Sequence, residues 1–293
     1  MAQNRHWEQD KDATVYIGNI DERATSIMVY EIMLQMGPIH NIHMPRDRVT
    51  QTHQGFGFVE FRTPGDAETT LHFNMTITEV GCMGVKPGLS ITDPSTPEGA
   101  VLPSVWKTVV TKPGGPQRIF WGLEEEDSSK VWAFFDWNSV QEHVDFAKTH
   151  GAEAVEDIPK VCTHGEFTKH ITLLPSTDAL GWPITRIIAS YFPSDILADE
   201  KDKRIQHVKG LLSGDNVNDP DSIPWSYGWG LEKDYPVRGL GGKTGTIFVV
   251  LVGAQTSDQH NTLFGELVHA VKSMDGLVGF HQFAMRSLRQ ERE

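Results

Sequence analysis

The stretch HQGFGFVEF, residues 53–61, sets three phenylalanines and two glycines around a single acid. Along a strand, successive side chains point to opposite faces. Phe56 and Phe58 therefore share one face, and Gly55, Gly57, Val59 and Phe61 share the other. A glycine inside a strand weakens it and usually marks a close approach by another group. The phenylalanine pair either packs into a core or stands outward as rings on which something stacks, and strand period alone does not choose between them.

The flanking residues narrow the choice. TVYIGNI (14–20) is a short β-rich run ending in Gly-Asn. In RATSIMVYEIMLQMG, residues Ile27, Val29, Tyr30, Met33 and Leu34 recur at near-helical spacing. Thr25 or Ser26 is placed to cap that helix and Gly37 to stop it. IHNIHM alternates as a strand does, a polar loop PRDRVTQTHQ follows, and TPGDAETTLHF opens a second helix. The order β-α-β-β-α is the start of a ferredoxin-like unit.

VYIGNI (15–20) and QGFGFVEF (54–61) match the hexamer and octamer motifs of the RNA recognition motif (RRM), in the right order and with a helix and a strand between them. From about Asn4 to Thr70 the chain resembles the first RRM of the tandem-RRM subunits of splicing factor three-b, most closely through GPIHNIHMPRDRVTQTHQGFGFVEF. The resemblance implies an RNA-binding face of Tyr16, Asn19, Gln54, Phe56 and Phe58, with Tyr16, Phe56 and Phe58 as the stacking rings. It further implies single-stranded RNA as ligand, spliceosomal proteins as possible partners, mRNA splicing as the process, and the nucleus as location, the cytoplasm otherwise. The octamer departs from the family in opening with Gln54, where Lys or Arg is usual. The likeness also stops after Leu71, before the fourth strand of an RRM.

Beyond that point the chain repeats itself. ITEVGCMGVKP (77–87) parallels ITRIIASYFPS (184–194), and RIFWGLEEED (118–127) parallels SYGWGLEKDY (226–235). KVWAFFDWNSVQEHVDF (130–146) parallels TIFVVLVGAQTSDQHNTLF (246–264), and FTKHITLLP (167–175) parallels FHQFAMRSL (280–288). Each unit of roughly a hundred residues reads β-α-β-β-α-β, and such self-similarity is itself structural information. VWAFF and IFVVLV leave few polar positions, so each sheet needs cover on both faces, and two sheets can close face to face. The repeats resemble the dimeric α+β barrel superfamily, in particular antibiotic-biosynthesis-monooxygenase-like proteins of fungi, over about Thr76 to Arg289. On this reading the fold class is α+β. An incomplete RRM (1–74), lacking its own fourth strand, precedes two ferredoxin-like repeats (75–180 and 181–293) that form an α+β barrel with a cavity between them.

Trp121, Trp137, His143 and Trp229 are candidates for a ligand site in that barrel, with a small apolar molecule as the expected ligand and His260 as the counterpart of His143. If there is enzymatic activity, the resemblance implies a cofactor-free, monooxygenase-like one, with no catalytic base assignable. No cofactor and no metal is expected, although His164, Glu166 and His170 lie close in sequence. RGLGGKTG (238–245) lacks the glycine that a phosphate loop places six residues before its lysine, since Val237 stands there; it reads as a hairpin connection. Cys82 and Cys162 are too few for a disulfide framework.

The chain has 293 residues and a formal net charge of −13. Residues 1–73 carry 6 Lys+Arg against 10 Asp+Glu, so bulk charge does not favour phosphate binding, and RNA affinity must rest on stacking and local contacts. No run of about 18 apolar residues is present, so no membrane span is expected. RNA binding is the expected activity, and a small-molecule-binding or monooxygenase-like barrel is the alternative.

Overall fold

The computed structural model describes residues 10–18, 20, 24–34, 36–48, 50–71, 77–212 and 224–292. The chain divides into two units, Met1–Asn74 with Leu197–Lys203, and Met75–Ile196 with Arg204–Glu293.

The first unit runs β1 (Thr14–Ile17), α1 (Ser26–Met33), β2 (Ile39–His43), β3 (Gly57–Phe61) and α2 (Pro64–Leu71). The Thr25 side chain accepts a hydrogen bond from the Met28 amide and so caps α1. Thr63 does the same for α2 through the Asp66 amide, and Pro64 occupies the first helical position, where its missing N–H costs nothing. The strands form an antiparallel sheet in the order β1-β3-β2. Its buried face contributes Val15, Ile39, Val59 and Phe61 to a core completed by Val29, Met33 and Ala67 from the helices. Among the described residues, no strand pairs with the outer edge of β1.

The second unit begins with β4 (Ile77–Val85), α3 (Val101–Thr111), β5 (Arg118–Leu123), β6 (Lys130–Trp137), α4 (Val140–Ala154) and β7 (Cys162–Thr172). The chain continues with β8 (Ile184–Phe192) and α5 (Ala198–Leu212), whose residues up to Lys203 are counted with the first unit, then β9 (Trp225–Trp229), β10 (Tyr235–Pro236), β11 (Thr244–Ala254), α6 (Asn261–Lys272), β12 (Gly279–Met285) and β13 (Leu288–Glu291). The strand orders β5-β6-β4-β7 and β9-β11-β8-β12 are the same ferredoxin-like topology used twice. The sheets join at both edges. Leu174 and Tyr227 exchange backbone hydrogen bonds of 2.9 and 2.8 Å, and Glu124 bridges to Met285 before β13 pairs with β5. These links close an α+β barrel. The stretch RGLGGKTG is the connection between β10 and β11, with Gly239 and Gly242 at positive φ.

Alternation along each strand assigns one face to the interior and one to the helices. Val80, Cys82, Trp132 and Phe134 of the first sheet meet Ile187, Ala189, Ile247, Val249 and Phe283 of the second. Trp132 stacks on Phe283 with centroids 4.8 Å apart, and Phe167 packs edge-on against Tyr235. Large rings from both repeats fill the interior. The remaining space among Val80, Trp132, Ile187 and Val249 is about 10 Å³, which is about one water molecule. Among the described residues, these side chains leave no more than that space where a ligand cavity between the two repeats was expected.

Candidate functional site

On the open face of the first sheet, register places the rings. Tyr16 pairs with Phe58 across β1 and β3, and His43 pairs with Phe58 from the other side. His43, Phe58 and Tyr16 therefore form one row across the sheet, since directly paired antiparallel residues share a face. Phe56 lies two residues before Phe58, just ahead of β3, and extends the same face. The centroids of Tyr16 and Phe56 are 6.0 Å apart with planes inclined by 28°. Those of Tyr16 and Phe58 are 5.7 Å apart, and those of Phe56 and Phe58 6.1 Å. Tyr16 is 61% exposed, a large value for a ring in mid-strand. Phe56 and Phe58 are half-buried, while Phe61 and Val59 are in the core.

The glycines have separate jobs. A Cβ at Gly18 would lie 3.0 Å from the Tyr16 ring, so its absence lets that ring lie over the chain. A Cβ at Gly57 would lie 3.1 Å from the His43 carbonyl oxygen and Met44 Cγ, on the core side. Gly55 has φ +77°, a left-handed conformation that glycine adopts without strain. Its carbonyl accepts from the Ile20 amide at 2.9 Å, which ties the octamer to the end of the hexamer. Gln54 is exposed at the platform's edge. Asn19 lies outside the described residues. Sequence reasoning missed His43, whose signal was its alternation with Asn41 in IHNIH. The strand register then sets it beside Phe58.

The proposed barrel site has a different fate. Trp121, Trp137 and Trp229 all lie on helix-facing sides of the sheets, not in the barrel interior. Trp229 packs with Phe192 and Phe248 over the second sheet. Trp121 belongs to the core beneath α3 and α4. Trp137 and His143 do line a cavity, but it lies between the first sheet and those two helices, with a volume of about 200 Å³. His260 does not match His143. Counted from the helix caps, Ser139 and His260, the counterpart of His143 is Phe264.

At the floor of this cavity runs a chain of polar groups in close contact. Glu79 on β4 stands directly opposite His170 on β7. Its Oε2 accepts from Trp137 Nε1 at 2.9 Å and lies 3.3 Å from His143 Nε2. His143 Nδ1 is 2.8 Å from His170 Nε2, and His170 Nδ1 is 2.6 Å from Glu232 Oε1. Glu232 also accepts the His170 backbone N–H at 2.8 Å. Burial pushes the Glu79 carboxyl up to about 7, against the Trp137 hydrogen bond and the His170 charge. Burial, helped by His170, brings His143 down to about 4. Burial alone would raise Glu232, but the hydrogen bonds from His170 outweigh it and hold that carboxylate below its usual range.

Among the described residues no group of three His, Cys, Asp or Glu is arranged to hold a metal ion. Of His164, Glu166 and His170, the first two stay within 4.0 Å of each other and His170 stands apart. Glu166 pairs with Lys130, while His170 belongs to the chain just described. No described helix is long and apolar enough to cross a membrane.

Residues 15–77 match the family model of the RNA recognition motif. Human splicing factor 3B subunit 4 is 52% identical over 68 residues, which is 23% of this chain and 16% of that protein. Spliceosome-associated protein 49 of Schizosaccharomyces pombe is 51% identical over 61 residues, 21% of this chain and 18% of that one. The chain thus spans less than a fifth of the length of these relatives. An anthrone oxidase-like protein of solved structure is 12% identical, over 74% of this chain and 93% of that one, with a TM-score of 0.46. The N-terminal segment thus resembles a splicing-factor RRM.

Proposed function

We propose that the first unit binds single-stranded RNA on the Tyr16–Phe56–Phe58 face, and that this binding serves pre-mRNA splicing in the nucleus alongside spliceosomal proteins. The observation that carries the reading is Tyr16, largely exposed in mid-strand and in register with Phe58. A ring left largely in water at such a position adds little to the core, whereas a base stacked on it gains roughly 1–3 kcal/mol. The match of residues 15–77 to the RRM family and the identity to two splicing proteins support the same ligand class. Stacking is sequence-tolerant, and with the acidic excess in this segment the ligand is held mainly by its bases.

The test is fluorescence anisotropy of the whole chain with labelled single-stranded RNA of mixed sequence. Tyr16→Ala with Phe58→Ala is expected to abolish binding while circular dichroism stays unchanged. Equal affinity for the variant and the parent would overturn the proposal.

A further inference from the structure

The open face of the first unit is not electrically uniform. Register lays two adjacent rows of side chains across it. One row is Tyr16, Phe58 and His43, and the next is Thr14, Glu60 and Asn41. Phe58 and Glu60 are two residues apart on β3, so both rows point to the same side of the sheet. The rings therefore adjoin an acid. Glu60 is only 8% exposed, and the chain ahead of β1 folds against it. Its Oε1 accepts the Asp10 amide at 3.1 Å, and Thr14 Oγ1 donates to the Asp10 carbonyl at 2.5 Å. Asp10 Oδ1 accepts the amides of Asp12 and Ala13 and holds this turn together. Asp10 and Asp12 are exposed, so this end of the face presents Asp10, Asp12 and Glu60 against a single cation, Lys11.

At the end of the ring row the chemistry differs. His43 is exposed, and among the described residues no hydrogen bond or ion pair engages its imidazole. An imidazole has one N–H donor when neutral and two when protonated. The octamer opens with Gln54, which is uncharged, so the row itself holds one group able to carry positive charge, and that group is His43. Arg46 lies three residues further on, where the chain returns antiparallel through an Arg46–His53 bridge. Its Nη1 donates to the Gln51 carbonyl at 3.3 Å, which directs it into that hairpin. In the same hairpin Asp47 accepts the Thr50 amide at 2.8 Å.

Directly opposed residues of neighbouring strands lie about 4.5–5.5 Å apart. Tyr16, Phe58 and His43 are therefore even steps across β1, β3 and β2. Two successive bases stacked on Tyr16 and Phe58 fill the first two steps. The sugar–phosphate chain beyond the second base then meets like charge if it turns toward Glu60, Asp10 and Asp12, and meets an imidazole if it crosses β2. We infer that His43 receives the phosphate adjoining the base stacked on Phe58, donating a ring N–H to one of its oxygens, and so sets the direction in which a single strand crosses the sheet. This inference rests on the RNA reading of the ring face and adds one named phosphate contact to it. A donor on an ionised oxygen makes a charge-assisted hydrogen bond, which is stronger than a neutral one. Such a contact does not depend on base identity, so it positions the strand and carries no sequence information.

The test uses the whole chain and the adenosine dinucleotides ApA, pApA and ApAp as competitors of a labelled single-stranded RNA, read by anisotropy. ApA spans the two rings, and the other two add one phosphate at either end. One of them is expected to compete about fivefold better than ApA, and the other about as well as ApA. His43→Ala should remove that gain and leave ApA itself within about twofold of the parent, because stacking is untouched. His43→Phe keeps a ring without an N–H and should remove the gain as well, whereas Arg46→Ala should keep it. No gain at either end, an equal gain at both ends, a gain that survives in His43→Ala or His43→Phe, or a gain lost in Arg46→Ala would each overturn the inference. So would a loss of ApA binding in His43→Ala as large as the loss of the gain, since His43 would then support the face and not a phosphate. If ApA does not compete for the parent at all, the reading of the ring face fails first and this inference falls with it.

Discussion

Tyr16 and Phe58 face each other directly across β1 and β3, with ring centroids 5.7 Å apart and planes inclined by 67°. The edge of one ring meets the face of the other, so each keeps a face toward solvent. If each ring contributes at least 1 kcal/mol to base stacking, losing both costs RNA affinity about 30-fold or more. Anisotropy titrations of the two single alanine variants and the double variant measure this, with the single variants each falling about fivefold or more.

Salt dependence tests the balance between stacking and charge. Residues 1–73 are net acidic by composition, so few phosphates can be neutralised. Each contact adds about 0.7 to the slope of log affinity against log salt for single strands. A slope magnitude below about 2 is expected, and a much steeper slope would move the binding energy onto phosphate contacts.

Gly18→Ala separates ring placement from folding. Its Cβ would sit 3.0 Å from the Tyr16 ring and push that ring aside. Thermal melting is expected to change by no more than a few degrees, whereas RNA affinity should fall severalfold. Equal affinity for Gly18→Ala and the parent would show that the ring's position over the chain is immaterial.

Glu79 makes the second unit's stability depend on pH in a defined direction. Burial raises its carboxyl from the ordinary 4.5 to about 7, so the folded state holds the proton more tightly. The stability this confers is fully present below about 4.5 and is lost as pH rises through about 7. His143 acts oppositely: its contribution is present above 6.5 and is lost as pH falls through about 4. Denaturant midpoints of Glu79→Gln should therefore lack the decline between about pH 5 and pH 8 that the parent shows, a difference on the order of 3 kcal/mol at most.

Phe283→Ala tests whether the two repeats share one core. Phe283 belongs to the second repeat but stacks on Trp132 of the first. Truncation should cost about 3–5 kcal/mol. Hydrogen exchange should rise together in β6 and β8. Exchange that rises only in the second repeat would mean that the sheets unfold independently.

Much of this molecule was readable from residue order. The motifs VYIGNI and QGFGFVEF pointed to an aromatic sheet face through their resemblance to the RNA recognition motif, since strand period puts Phe56 and Phe58 on one face without saying where that face looks. The repeat of ITEVGCMGV in ITRIIASYF announced two copies of one topology, since the same periodicities recur at the same separations. Residue order did not reveal which face of each barrel strand met which partner. Trp121, Trp132, Trp137 and Trp229 read alike as large rings in apolar strands. Only the closure of the barrel put Trp132 inside and the other three beneath helices, because a side chain's surroundings follow from strand pairing and sheet packing.

The same distinction explains the buried polar chain beneath α3 and α4. Glu79, His143, His170 and Glu232 are spread over more than 150 residues, and no local spacing links them. Register brings Glu79 opposite His170, the fourth position of α4 brings His143 onto both, and the chain after β9 brings Glu232 to the far side. Sequence by itself determined the elements, the repeat and the ring-bearing face, since these depend on periodicity and on motifs a few residues long. Tertiary structure alone decided where space remained and which acids met which imidazoles. Cavities and hydrogen-bonded chains arise from contacts between distant segments, and a linear order of residues does not contain them.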